Sequence, residues 1–194
     1  MQNWLDQILE THWAEHVALL CGVSYAILAV KRIRWAWVFG AASSALLVWL
    51  AAGAALPLQA VLQAVYVVMA AYGFWHWSKV APGEKVIAVT VWGWQRHLLA
   101  WVVVAALVWF AAPLLQHYTA AAWPRLDVLV TGLSLLATWM TARAILENWL
   151  YWLVVDAVSF YMYSAQGLMF VAMLYALYFI IAIFGLRSWW QQRP

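Results

Sequence analysis

Residues 98–113 read LLAWVVVAALVWFAAP, sixteen positions with no charge and no polar side chain beyond two indoles. Extended to 97–115, the run is about as long as an α-helix must be to cross a hydrocarbon core of roughly 30 Å. Inside such a core every backbone N–H and C=O has to be paired within the segment, so the run takes the form of a helix. Six more apolar runs flank it, at 16–31, 35–53, 57–78, 126–142, 147–164 and 167–188. The sequence therefore predicts an all-α integral membrane protein with seven transmembrane helices.

Composition points the same way. Of 194 residues, 69% are hydrophobic and 9% charged, with a mean hydropathy of +0.84. An ordinary soluble domain carries about 25% charged residues, and a soluble globule of this size has too much surface to hide so much apolar area. A soluble enzyme, a nucleic-acid-binding module and a disordered chain are excluded. The net charge of +3 is too small for a nucleic-acid footprint. A single cysteine, Cys21, excludes an internal disulfide framework and a multi-cysteine metal site.

The connections obey local rules. Pro57 and Pro124 stand at helix starts, where a missing N–H is harmless. Pro82 and Gly83 mark a turn inside the longest loop, 79–96. Residues 86–94 in that loop are apolar but too short to span; they lie at the interface or fold back on the protein. The N-terminus has no basic residue before Lys31, so it does not read as a signal peptide. Trp4, Leu5, Ile8, Leu9 and Trp13 sit at helical spacing instead, as an amphipathic interfacial helix would place them. With seven spans, nine of the ten Lys and Arg fall on one side and only Arg125 on the other. That bias orients the N-terminus outside and the C-terminus in the cytoplasm.

A shift of 112 residues superposes spans 1–3 on spans 5–7. It lays Lys31 on Arg143, Trp37 on Trp149, Gln63 on Tyr175, and Tyr66 on Tyr178. The pattern G-x-x-x-W recurs as Gly73…Trp77 and Gly185…Trp189. Equivalent helices four spans apart enter the membrane in the same sense. The expected organisation is thus one membrane domain, 1–194, made of a first three-helix repeat at 16–78, a linker helix at 97–115 and a second repeat at 126–188. Transporters built from such parallel repeats bind substrate near the midplane, between the repeats.

Polar residues in lipid are costly and face a cavity or a partner helix. In span 6, Asn148, Trp152, Asp156, Ser159 and Tyr163 share one helix face. In span 3, Gln59, Gln63, Tyr66, Gly73 and Trp77 share another, and in span 5 so do Asp127, Thr131, Ser134, Thr138 and Thr141. Span 7 adds Tyr175 and Tyr178, span 2 adds Ser44 (the repeat mate of Asp156), and span 1 adds Ser24. Span 4 offers no such strip. A solute path through the protein explains the pattern, although a lone Ser or Thr also serves as helix–helix glue. The candidate substrate-binding residues are Gln63, Tyr66, Asn148, Trp152, Asp156, Tyr178 and Ser44. Trp4, Trp13, Trp123, Trp189 and Trp190 read as interfacial anchors, as do most of Trp35, Trp37, Trp75, Trp77, Trp92 and Trp94. Trp152 lies deeper and, with Tyr66 and Tyr178, suits a flat polar or cationic ring. No serine–histidine protease set, aspartate-rich diphosphate motif or phosphate loop is present. His12 and His16, with Glu15 nearby, are weak evidence for metal at an interface. The reading is a non-enzyme with no cofactor and no metal.

Residues 58–77, LQAVLQAVYVVMAAYGFWHW, and residues 127–189 resemble the PnuC family of bacterial nicotinamide riboside transporters. The most specific block is 144–156, AILENWLYWLVVD, which holds E-N-W-x-x-W-x-x-x-D as Glu147, Asn148, Trp149, Trp152 and Asp156. The family's usual Y-G-W-Y-x-W reads Y-G-F-W-H-W here. Members with eight spans have an extra N-terminal helix, whose place the amphipathic segment takes. The resemblance implies a SWEET-like 3+1+3 bundle in the bacterial inner membrane. It implies uptake of nicotinamide riboside by facilitated diffusion and trapping by a separate cytoplasmic kinase, on the way to NAD. In that reading Tyr66, Trp152 or Tyr178 stack on the ring, Gln63 and Asn148 bond the amide or ribose, and Asp156 meets the cation or a hydroxyl. Asn148 also fits an inner gate.

Other functions stay open on the residues alone. They are a SWEET-like carrier for another vitamin or a sugar, ion-coupled transport through Asp156, a receptor or structural module without flux, and a membrane enzyme. The expected partners are the small-molecule substrate and the lipid bilayer, with no nucleic acid. A homo-oligomer is compatible with the sequence, a trimer among the states open to it. Repeat geometry suggests alternating access, with Gly73, Gly167 and Gly185 as flexible points.

Overall fold

The computed structural model describes residues 13–54, 56–80, 83–119 and 122–193. Seven α-helices follow one another: α1 Trp13–Val30, α2 Ala36–Gly53, α3 Pro57–Trp77, α4 Trp94–Tyr118, α5 Pro124–Ala142, α6 Asn148–Ala165 and α7 Met169–Trp190. Each covers one expected span. The amphipathic segment at 4–13 lies outside the described residues, apart from Trp13, which opens α1.

By length and composition α1, α2, α3, α4 and α7 are apolar enough to cross a membrane, and α5 and α6 are not among these. The reason lies in their polar faces. Both helices turn polar residues inward: Ser134, Thr138 and Thr141 on α5, and Asn148, Asp156 and Ser159 on α6, are all buried. Lipid does not meet those groups, so such a helix is tolerated with less apolar surface.

Six helices close a ring. α1 packs on α2, α2 on α3, α3 on α5, α5 on α6, α6 on α7, and α7 back on α1. α4 stands outside, against α5. Only Val104 and Ala112 of α4 are buried, which explains why its sequence is apolar on every face.

The turns after α1 and α5 are built alike. Both end in a Schellman motif: the N–H groups of Arg32 and Ile33 donate to the carbonyls of Ala29 and Leu28, and those of Ala144 and Ile145 to Thr141 and Met140. Arg32 (φ 55°) and Ala144 (φ 52°) take the left-handed position usually given to glycine. The four sites differ by the same 112 positions.

The loop 86–92 folds back on the protein rather than lying free. Thr90 pairs with the α5–α6 turn: its N–H donates to Ala144 O at 2.9 Å, and its carbonyl accepts from Leu146 N–H at 2.8 Å. The Trp92 N–H donates to the Glu147 carboxylate at 3.1 Å. Arg32 donates to Ile87 O at 2.6 Å and to the Gln192 side chain. Burial pulls the Arg32 pKa below the usual arginine range, and Glu84 opposes that pull. The strap thus joins the α1–α2 turn, the α5–α6 turn and the C-terminal tail at one end of the bundle. Nine of the ten Lys and Arg lie at that end, in these turns, the loop 78–93, the tail or the adjoining helix turns.

Three tryptophans expected as anchors are core residues instead. Trp37 and Trp77 are 1% exposed and Trp189 is 0% exposed. Together with Trp149 they form a chain of rings: Trp37–Trp77 at 5.3 Å, Trp77–Trp189 at 6.3 Å and Trp189–Trp149 at 5.4 Å between centroids. Gly73 and Gly185 make the room. A Cβ at Gly73 would stand 2.3 Å from the Trp37 ring, and one at Gly185 2.5 Å from the Trp149 ring. These glycines are therefore packing positions within helices, not the flexible points expected of them. Gly167 does occupy a turn, at φ +77° with open space around it.

Candidate substrate cavity

The ring encloses a cavity of about 290 Å³. All six ring helices contribute to its wall, and α4 contributes nothing. Of the seven residues picked from sequence, six line it: Ser44, Gln63, Tyr66, Trp152, Asp156 and Tyr178. Ser24 and the exposed Gln59 are not part of the wall.

Asn148 is the exception. It is 0% exposed and absent from the cavity wall. Its amide donates to Ile145 O at 2.6 Å, and its Oδ1 lies 3.0 Å from Thr141 Oγ1. Thr141 Oγ1 also sits 2.8 Å from Ala137 O and accepts from the Trp152 indole at 3.4 Å. Asn148 therefore holds the α5–α6 turn, and through Thr141 it helps aim Trp152 at the cavity.

Tyr25, Trp37, Trp149 and Val155 are among the wall residues that the sequence alone does not assign to the site. Trp37 was hidden by its place near a span end, where an anchor and a wall residue look the same. Its link to Gly73 through the paired G-x-x-x-W pattern was the available signal. The indole N–H groups of Trp37 and Trp149 are buried and have no hydrogen-bond partner among the described residues. A buried donor without a partner is costly, and these two stand in the wall of a space that can hold an acceptor.

The wall is aromatic with a few amide, hydroxyl and carboxylate groups. Among the described residues no Lys, Arg or His lines it, and Asp156 is the only Asp or Glu there. Tyr175 stacks on Tyr163 at 5.3 Å and meets Tyr178 edge-on at 6.3 Å, which stiffens the α7 side. Beneath the cavity the ring is tied across at the strap end. The Trp77 indole donates to Ala142 O at 3.1 Å, and the Trp189 indole donates to Val30 O at 3.0 Å. Donors and acceptors are again 112 positions apart. Among the described residues no group of three or more His, Cys, Asp or Glu could hold a metal ion.

This arrangement has counterparts among known proteins. The chain superposes on the crystal structure of the vitamin B3 transporter PnuC with a TM-score of 0.77, covering 97% of this chain and 85% of that one at 19% identity. That likeness establishes the fold. The riboflavin/roseoflavin transporter RibM of Streptomyces davaonensis is 27% identical over 97% of this chain and 92% of its own length. The nicotinamide riboside transporter PnuC of Escherichia coli is 31% identical over 35% of this chain and 28% of its own length. A family model described as nicotinamide mononucleotide transporter matches residues 12–191. The chain is a multi-pass membrane protein and belongs to that transporter family, the PnuC family which its sequence resembles.

Proposed function

We propose that this protein carries nicotinamide riboside across the bacterial inner membrane by facilitated diffusion, and that phosphorylation by a separate cytoplasmic kinase traps the substrate. The observation that carries the reading is the ring-enclosed cavity, with aromatic walls, two unpartnered indole donors and a single carboxylate. Nicotinamide riboside offers a flat cationic ring, a carboxamide and ribose hydroxyls. Tyr66, Trp152 or Tyr178 stacks on the ring, where a desolvated cation gains most from an aromatic face. Gln63 and Ser44 bond the amide or ribose, and Asp156 balances the cation.

The chain is further read as a duplicated three-helix unit, 16–78 and 126–188, joined in parallel by the linker helix 97–115. The matched Schellman turns, glycine–tryptophan contacts and crossed indole–carbonyl bonds support this reading. Alternating access then rocks α1–α3 against α5–α7. The basic strap end faces the cytoplasm, in keeping with the positive-inside bias.

Riboflavin is the second reading, because the relative matched over nearly the whole chain is a riboflavin/roseoflavin transporter. The cavity volume, at the low end of the roughly 300–1,000 Å³ usual for small-molecule sites, favours the smaller ligand. The test is uptake of labelled nicotinamide riboside into proteoliposomes, with and without enclosed riboside kinase and ATP. Equilibration that becomes accumulation only with the kinase is the expected result. Accumulation driven by an ion gradient without kinase would mean coupled transport. Uptake of riboflavin but not of the riboside would establish the second reading.

A further inference from the structure

Outside the ring, α4 and α5 leave a second hollow of about 780 Å³ between them. Its long wall is the α4 face bearing Leu99, Val103 and Leu107, three exposed residues at four-residue spacing. On α5, Gly132 supplies no side chain to fill it. The mouth, next to the strap, holds Arg96 and Arg143, and no Asp or Glu lines the hollow. Arg143 is already positioned: its guanidinium lies over the Trp139 ring at 6.0 Å and donates to the Tyr72 hydroxyl at 3.3 Å.

An apolar trough that runs down a lipid-facing helix, with two guanidinium groups at its head and no Asp or Glu among the described residues that line it, matches one molecule that a membrane supplies. We propose that this groove binds an anionic phospholipid from the leaflet at the basic end. Its phosphate bridges Arg96 and Arg143, and an acyl chain lies along Leu99, Val103 and Leu107. Guanidinium groups present paired donors in a fork that fits phosphate oxygens. Basic pockets between membrane helices on the cytoplasmic side are sites of this kind. A zwitterionic lipid brings an ammonium toward the same arginines and loses that advantage. The site is separate from the substrate cavity: α4, α5, the loops at the mouth and His76 of α3 form it, and no residue lines both.

The test uses the full chain in mild detergent, titrated with cardiolipin and, in parallel, with phosphatidylethanolamine. Retained lipid is read by native mass spectrometry and stability by thermal melting. The expected result is one retained cardiolipin per chain and a raised melting midpoint, with neither effect from phosphatidylethanolamine. Arg96→Gln with Arg143→Gln should weaken retention by about tenfold, the loss of one or two charge-assisted hydrogen bonds. Val103→Trp, which fills the trough and leaves both arginines in place, should weaken it as well. Both variants should keep the wild-type melting midpoint without lipid, because every altered residue is exposed. Equal effects of the two lipids, or full retention by the double variant, would overturn the proposal. So would a lipid-free particle in which a second copy of the chain covers the groove.

Discussion

The groups α1–α3 and α5–α7 share a skeleton but not a lining. Their turns repeat hydrogen bond for hydrogen bond, and each sets a glycine beneath a tryptophan ring. At the cavity wall the pairs part. Ser44 stands opposite Asp156 in the register, and Gln63 opposite Tyr175. Bulk has changed sides too. On the first side Tyr25 packs on Gly40, whose Cβ would sit 3.0 Å from the ring. On the second, the same two positions are Ala137 and Trp152. The lesson is that packing constrains the frame equally in both groups, because interiors are close-packed and punish any change of volume. The wall faces space, so it is free to diverge toward one ligand.

The largest effects should come from attacking the frame. Gly73→Ala and Gly185→Ala each drive a methyl into the face of a buried indole. Each should cost about 3 kcal/mol, the upper range for overpacking, read as similar drops in thermal midpoint in detergent. A large loss from one and none from the other would break the equivalence of the two groups.

The wall should respond unequally. Asp156→Asn removes a charge that no neighbour replaces, and should lower uptake by about thirtyfold. Ser44→Ala at the matching position should lower it by about fivefold, as charged and neutral hydrogen bonds differ by about a factor of two in free energy. Equal losses would mean the lining is as symmetric as the frame.

The crossed bonds come next. Trp77→Phe and Trp189→Phe each leave a carbonyl, the buried Ala142 O or the half-buried Val30 O, without its donor. Each should cost about 1–2 kcal/mol, and thermal melting of the two variants should agree within error.

The smallest effect sharpens the contrast between the turns. Ala144 sits in the left-handed region with its methyl packed in the core, so Ala144→Gly should relieve slightly more strain than the packing it loses and raise stability by about 0.5 kcal/mol. Arg32→Gly relieves the same strain but removes the bonds to Ile87 and Gln192, and should give no net gain. A stabilised Arg32→Gly protein would show that the arginine contributes little to the strap.

Much of this was legible in the chain. Helix spans follow from apolar run length, and the inward strips follow from 3.6-residue spacing, so six of seven chosen residues reach the cavity wall. Asn148 was misplaced because periodicity shows a face but not a depth. It sits at the first residue of α6, where a side chain can turn back to its own loop. Trp37, Trp77 and Trp189 were misread for a related reason: an indole near a helix end looks the same whether it points to lipid or to a glycine on a neighbour. The strap was visible only as an apolar stretch too short to span. Its partners, Ala144, Leu146 and Glu147, are more than fifty residues away; the first two meet it through backbone groups that every residue possesses, and Glu147 through a carboxylate that accepts from a backbone N–H.

The tryptophan chain also gives the protein a built-in optical gauge. The outer spacings, Trp37–Trp77 and Trp149–Trp189, lie inside α1–α3 and inside α5–α7, and their rings stand nearly at right angles, at 83° and 90°. The middle spacing, Trp77–Trp189, crosses from one group to the other. Indoles this close couple their electronic transitions, and the coupling depends steeply on separation and angle. Any motion of one group against the other changes the middle coupling and leaves the outer two alone. The near-ultraviolet circular dichroism of the unlabelled protein, taken as the difference between the wild type and Trp77→Phe, therefore reports opening and closing without a single attached probe.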